Sequence, residues 1–354
     1  MDSITQAVLG ASVQGALLGR WQGRKALLYG AMLGTLPDLD VVLDFGDAVA
    51  DMTYHRGFSH SLLVLSLLSV LMAWALRRLR PHPEYSGVRL WFCIWLVLTT
   101  HVLLDAFTTY GTQLFWPLTT PPVAISSIFI IDPLYTLPLL LAVIGGLVFG
   151  LHKQVGVRLQ YIALAFGSLY LLSTLMGKQM AEQQLEQALA ESDIQPQATF
   201  SSPTPFNTLL WRVVAVDGDD YYEGLVSWFD EHPPRLERLP RHASVAQAVL
   251  ADSPQHQRLR WFTGDLLRYD LIDGHWVVTD LRLGMTGYHP FRFALAQVEP
   301  MGRETHLIEF AELWPVPSAQ LSALGFLHRR TLDENYPVSL QRLAEPLALP
   351  PATP

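Results

Sequence analysis

Residues 90–107 read LWFCIWLVLTTHVLLDAF, an apolar run whose only ionisable side chains besides the thiol of Cys93 are His101 and Asp105. A helix needs roughly 17–25 mainly apolar residues to cross bilayer hydrocarbon, where every main-chain polar group must be paired within the segment. The run meets that length. Ionisable residues inside a span are costly and are kept chiefly where they serve a function. His101 and Asp105 are four positions apart, which on a helix places both side chains on one face at adjacent turns.

Outward from this run, residues 133–151 and 159–177 are apolar enough to span as well. Residues 61–76 are slightly short, but Trp74 and the following Arg77, Arg78 and Arg80 read as an interfacial anchor and stop. Residues 4–19 and 26–36 are apolar, short and rich in Gly and Ala, which suits closely packed or partly re-entrant helices inside a bundle. The pattern predicts about six crossings. Arg20, Arg24 and Lys25, the basic residues of 77–89, and Lys153 with Arg158 fall in alternate loops, which the bias of Lys and Arg assigns to the cytoplasm. Residues 37–60, residues 108–132 and everything after Lys178 then share the opposite face, which is periplasmic in a Gram-negative cell. The opening MDSITQAVLGASVQG carries Asp2 and no basic region ahead of its apolar stretch, so retention rather than cleavage is expected.

Composition narrows the function classes. Half of the 354 residues are hydrophobic, and the net charge of −8 comes mainly from the later half. That balance provides no basic face for a phosphate backbone, so no nucleic-acid partner is expected. The single cysteine, Cys93, rules out an intramolecular disulfide and a thiolate metal cluster. Any metal must be held by His and carboxylates.

From residue 178 the chain turns polar. The expected organisation is a multi-pass α-helical membrane domain over 1–177, a helical connector and Pro/Ser/Thr-rich linker over 178–205, and a soluble β-rich, α+β domain over 206–354. Two hairpins are predicted, one turning at Asp217-Gly218-Asp219-Asp220 between 207–216 and 221–228, the other at Asp273-Gly274 between 260–272 and 275–283. A further strand is predicted over 305–314.

Three motifs carry chemistry: TLPDLD (35–40), HRGFSHS (55–61) and THVLLDAFTTYG (100–111). Asp38 and Asp40, two apart after Pro37, point to one side of an extended segment and can share a cation. His55 and His60 flank a Gly-containing turn, with Ser59 a candidate N-cap for the helix that follows. Each piece alone has a bland reading: a helix-ending turn for the Asp pair, interfacial polarity for the His pair. Together, the predicted topology brings Asp38, Asp40, His55, His60, His101 and Asp105 to one membrane face. Six such ligands suit one or two divalent ions, zinc or manganese, which would activate water for a displacement. Asp40, His60 and Arg56 are the candidates for catalytic roles, Arg56 as a clamp on a substrate oxygen or as a partner of Asp44, Asp47 or Asp51. Thr5, Gln6, Tyr110 and Asp132 are weaker candidates. The histidines of the soluble half are scattered, with surface or core roles as the default.

The opening MDSITQAVLG followed in order by GTLPDLD, HRGFSHS and THVLLDAFTTYG resembles the bacterial membrane-bound metal-dependent hydrolases whose best-known branch is regulated by the SOS repressor. The soluble half, with SPTPFNTLLWRVV (202–214), is similar to the tail of longer members. The resemblance implies an integral inner-membrane protein, the six Asp and His residues as ligands, and hydrolysis of an unassigned substrate. Some relatives carry His at the position of Gln6, so a further nitrogen ligand is here absent or replaced by an amide oxygen. A site at the membrane surface suggests membrane lipid as neighbour and a lipid-linked or phosphate-ester substrate. The rival expectations are a transporter whose Asp and His relay protons or carry the metal, and a membrane anchor with a structural metal.

Overall fold

The computed structural model describes residues 1–299, 304–316 and 322–350. The chain divides into two compact units, residues 1–43 with 55–175, and residues 44–54 with 176 onward.

The first unit is helical. Helix α1 (Ser3–Gln22) is capped by Asp2, whose carboxylate accepts from the Ile4 and Thr5 amides, and α2 (Lys25–Thr35) returns beside it. The two pack closely because Gly10, Gly30 and Gly34 face the neighbouring main chain, where any Cβ would collide with a carbonyl oxygen. A short 3-10 turn, Pro37–Val42, follows α2. Helix α4 (Leu62–Leu79) is capped by Ser61, α5 (Gly87–Phe107) by Ser86, and α6 (Pro133–Phe149) by Asp132 with Pro133 in the first turn. Helix α7 (Gln154–Glu191) is the longest, and its tail belongs to the second unit. Val8, Leu9 and Val13 of α1 pack with Val97 and Leu104 of α5 and Leu139 of α6.

Among the described residues, three helices are long and apolar enough to cross a membrane: Leu62–Leu79, Gly87–Phe107 and Gln154–Glu191. The expectation of about six crossings is therefore not supported. At about 1.5 Å per residue, the 11 residues of α2 rise only about half the thickness of bilayer hydrocarbon. Helix α1 is longer, but Thr5, Gln6 and Ser12 on it are fully buried, so it serves the interior of the bundle. Helix α6 is apolar but has only 17 residues.

The second unit holds two four-stranded antiparallel sheets. The first runs β1 (Ala198–Pro203), β2 (Leu210–Asp217), β3 (Asp220–Ser227) and β4 (Glu237–Pro240) in that order. The second runs β5 (Leu267–Ile272), β6 (His275–Asp280), β7 (Arg292–Val298) and β8 (Thr305–Leu313). The turn at Gly218 joins β2 to β3 and the turn at Gly274 joins β5 to β6, with Asp217 paired to Asp220 and Ile272 to His275. Residues 260–263, expected at the start of a strand, instead end helix α9 (Pro254–Thr263), which Gly264 closes in the left-handed conformation. Helix α8 (Ala243–Val249) precedes it, and α10 (Ser322–Leu332) and α11 (Leu340–Ala344) follow the sheets. The segment expected as a linker contains β1, and the polar stretch before it is the end of α7.

Helix α3 (Ala48–Tyr54) lies between two site motifs in sequence but packs within this second unit. Arg258 of α9 donates from Nε to Thr53 Oγ1 at 2.5 Å and lies 3.6 Å over the Tyr54 ring.

Candidate metal centre

Two histidines meet where α5 passes the turn before α4. His101 hydrogen-bonds through Nδ1 to the Gly34 carbonyl oxygen at 2.6 Å, which leaves Nε2 pointing into the bundle. His60, at the end of the short turn Phe58–His60, has Nδ1 2.9 Å from Ser59 Oγ and 3.8 Å from Asp40 Oδ2. Its Nε2 therefore faces His101, and the two Nε2 atoms are 3.3 Å apart. Each ring is oriented through its other nitrogen, as is usual for metal-ligating histidines.

Two carboxylates complete the group. Asp38 Oδ1 lies 3.4 Å from each Nε2, and Asp105 Oδ2 lies 3.2 Å from His60 Nε2 and 3.3 Å from His101 Nε2. The four atoms all fall within 4.8 Å of one another. Five of their six separations are thus between 3.2 and 3.4 Å. A tetrahedral ion bound at about 2.0–2.1 Å has ligand-to-ligand edges of about 3.3–3.4 Å. The donor set consequently fits one divalent ion. Asp105 Oδ2 is buried and has no hydrogen-bond partner, although it stands against both imidazoles. An orphan carboxylate oxygen in the interior is expensive unless a cation satisfies it.

The opposite oxygen of Asp105 is held by donors. Oδ1 pairs with the main-chain nitrogen of Met1, accepts from Gln6 Nε2 at 3.1 Å and lies 3.3 Å from Arg56 Nη2. Gln6 also donates to the His101 carbonyl at 3.2 Å, so its amide nitrogen, not its oxygen, faces the site residues. Arg56 is buried, donates to Thr108 Oγ1 at 3.3 Å, lies 4.9 Å over the Tyr110 ring and has a positive φ of 60°. Such backbone conformations in non-glycine residues are costly and concentrate at functional sites.

Asp40 and His55 stand beside the four-atom group. His55 Nδ1 is 2.9 Å from Asp40 Oδ1, while Asp40 Oδ2 accepts from Ser59 Oγ at 2.5 Å and from the Arg56 amide at 3.1 Å. Burial opposes ionisation of Asp40, but the bonds from His55 and Ser59 outweigh it and hold the carboxyl below its ordinary range. Asp38 behaves alike: burial works against the charge, and the bonds from His101 and His60 prevail.

The sequence motifs thus bring Asp38, His60, His101 and Asp105 to a single point, and place Asp40 and His55 as a hydrogen-bonded pair next to it. Three sequence expectations are corrected. Asp38 and Asp40 lie in the 3-10 turn Pro37–Val42, not in an extended segment, so they do not share one point and Asp38 alone joins the four-atom group. The N-cap of α4 is Ser61, which accepts from the Val64 amide, while Ser59 serves Asp40. Arg56 pairs with Asp105, whereas Asp44, Asp47 and Asp51 accept amide hydrogens of their own loop. Asp132 caps α6 and accepts from Tyr170 at 2.8 Å. Sequence reasoning gave Gly34 and Thr108 no role and Ser59 only a capping one, although the three lie inside GTLPDLD, THVLLDAFTTYG and HRGFSHS.

A family model described as YdjM inner membrane protein matches residues 1–181, a stretch that holds every residue of this centre. The chain belongs to the YdjM inner membrane protein family. Among curated relatives it is similar to the uncharacterized protein YfhP of Bacillus subtilis (strain 168), 27% identical over 311 residues, covering 82% of this chain and 89% of that one. It is also similar to the inner membrane protein YbcI of Escherichia coli (strain K12), 34% identical over 93 residues, covering 26% of this chain and 52% of that one. The likeness to YfhP extends into the β-rich half, beyond the family match. No solved structure matches the chain. This YdjM-family protein is therefore an inner-membrane type of protein with apolar helices and a buried Asp and His group able to hold a metal ion.

Proposed function

We propose that this YdjM-family protein is a membrane-embedded, metal-dependent hydrolase with one divalent ion held by Asp38, His60, His101 and Asp105. The observation that carries the reading is the set of five ligand-to-ligand separations of 3.2–3.4 Å, the edge length of a tetrahedral site. Two nitrogens and two oxygens at that spacing favour zinc over manganese, which prefers an octahedron of oxygens. A bound zinc would supply a Lewis acid and, if it took a fifth ligand or Asp38 yielded its place on the open side, a water of lowered pKa. Asp38, whose side chain is 20% exposed, marks the open side, and the other three ligands are sealed in the bundle. His55, 22% exposed and bonded to Asp40, is placed to take and pass on a proton beside that opening. Arg56 is assigned to holding Asp105, and Asp40 to orienting His60 and His55.

The substrate class is inferred from position. A site at the end of apolar helices favours a lipid-linked or phosphate-ester substrate at the membrane face, with the site loops and β-rich domain on the periplasmic side. The test is a turnover screen of purified protein in lipid nanodiscs against phospholipids and phosphoesters, with and without chelation. The reading expects turnover that zinc restores and His101→Ala abolishes. Metal bound at full stoichiometry with no turnover of any ester would favour a second reading, a structural ion in a membrane anchor. That reading has its own support, because four protein ligands can close a zinc site completely.

A further inference from the structure

Between Arg158 and Lys178 the long helix α7 carries no charged residue, so its apolar span ends at Gly177. Gly177 packs against two tryptophans of the β-rich unit, since a Cβ there would lie 2.8 Å from Trp211 and 3.1 Å from Trp228. Both indole Nε1 atoms donate to the Thr208 carbonyl at 2.9 Å. Trp211 is fully buried, but Trp228 is 43% exposed. The two loops at this end of the β2–β3 hairpin are tied side by side by the Trp228 amide, which donates to the Leu209 carbonyl at 3.0 Å. They present Phe206 at 46%, Leu209 at 44% and Phe229 at 58% exposure. Large apolar side chains grouped on two adjoining loop tips are not ordinary soluble surface.

We propose that the loops 205–209 and 228–229 form a membrane-docking surface, with Leu209, Trp228 and Phe229 entering the headgroup boundary of the bilayer that α7 spans. The argument for a lipid surface over another occupant is continuity: the patch adjoins the residue at which the apolar span ends. Tryptophan at that level, with its N–H satisfied and its ring half exposed, is the side chain enriched at membrane interfaces. Interfacial side chains penetrate about 5–10 Å, whereas β2 runs along the tail of α7, packing Trp211, Val213 and Ala215 with Ala181, Leu185 and Leu189, and at about 3.3 Å per residue carries its far end about 25 Å away. Asp217, exposed at that far end, is therefore beyond reach of the interface. The surface is independent of any hydrolytic activity and rests on α7 being a span.

The test uses the full chain with Cys93, buried in α5, replaced by Ala. Single cysteines at Leu209, Phe229 and Asp217 carry a polarity-sensitive fluorophore, and each protein is placed in phosphatidylcholine vesicles with or without brominated acyl chains. Brominated chains should remove more than half of the emission at 209 and 229 and leave 217 unchanged. Equal quenching at all three positions overturns the proposal. So does an absence of lipid quenching at 209 and 229; self-quenching that grows with labelling density would then assign the surface to a second copy of the chain.

Discussion

His60 and His101 turn their Nε2 atoms toward each other at 3.3 Å while their Nδ1 atoms are occupied by Ser59 and the Gly34 carbonyl. Two lone pairs at that distance repel unless a proton or a cation lies between them. With Asp38 Oδ1 and Asp105 Oδ2 at nearly the same spacing, the four groups could hold an ion that relieves this repulsion.

Removing one ligand should therefore remove the metal. His101→Ala and Asp105→Asn proteins, purified without chelator, are expected to contain less than a tenth of the wild-type zinc by elemental analysis. Asp38→Asn, on the open side, should retain a weakened site.

The groups that aim the ligands should act in a graded way. Ser59→Ala and Asp40→Asn leave all four ligand atoms in place but loosen the His60 ring, and such outer partners typically contribute about 10–100-fold in metal affinity. Competition with a chromophoric chelator should show an affinity loss of that order and no change in stoichiometry.

Arg56→Met should be more damaging than its distance from the ion suggests. It strips Asp105 Oδ1 of one of its two cationic partners, the other being the Met1 nitrogen, and breaking a buried pair from one side costs about 3–5 kcal/mol. A strongly lowered thermal midpoint, partly recovered by excess zinc, is the expected result. A midpoint within a degree of wild type would show that Asp105 does not depend on Arg56.

Acid should weaken the β-rich unit. His289 is fully buried; desolvation, reinforced by the nearby Arg212, Arg268 and Arg292, pushes its pKa well below the ordinary value, and burial lowers His256 as well. A histidine depressed in the folded state is neutral there but takes up a proton on unfolding, so stability is complete above the unfolded pKa of about 6.5 and falls as pH drops through it. Below that point His289 should cost up to about 1.4 kcal/mol per pH unit. Urea unfolding followed by tryptophan fluorescence should show a steeper acid loss in wild type than in His289→Gln.

The site was more legible in the sequence than the membrane topology. The four-residue spacing of His101 and Asp105 on an apolar helix, and Asp38 and His60 at the ends of neighbouring segments, were readable because cost inside a membrane filters polar residues. What spacing could not resolve was which nitrogen or oxygen points inward, so Asp40 and His55 were read alongside the four clustered residues although they bond to each other. The crossing count failed because hydropathy does not separate a short helix packed inside a bundle, such as α2, from one that spans. The excursion of residues 44–54 into the second unit had no local signal, since it depends on Arg258, about two hundred positions away, stacking on Tyr54.

Cobalt(II) substitution tests the central claim most directly, because tetrahedral cobalt absorbs visible light far more strongly than octahedral cobalt. Titration of metal-free protein in nanodiscs should saturate at one equivalent with an intense tetrahedral spectrum, displaced by zinc and absent from His101→Ala. A weak octahedral spectrum, or an intense one that His101→Ala leaves unchanged, would contradict a single four-ligand ion held by Asp38, His60, His101 and Asp105.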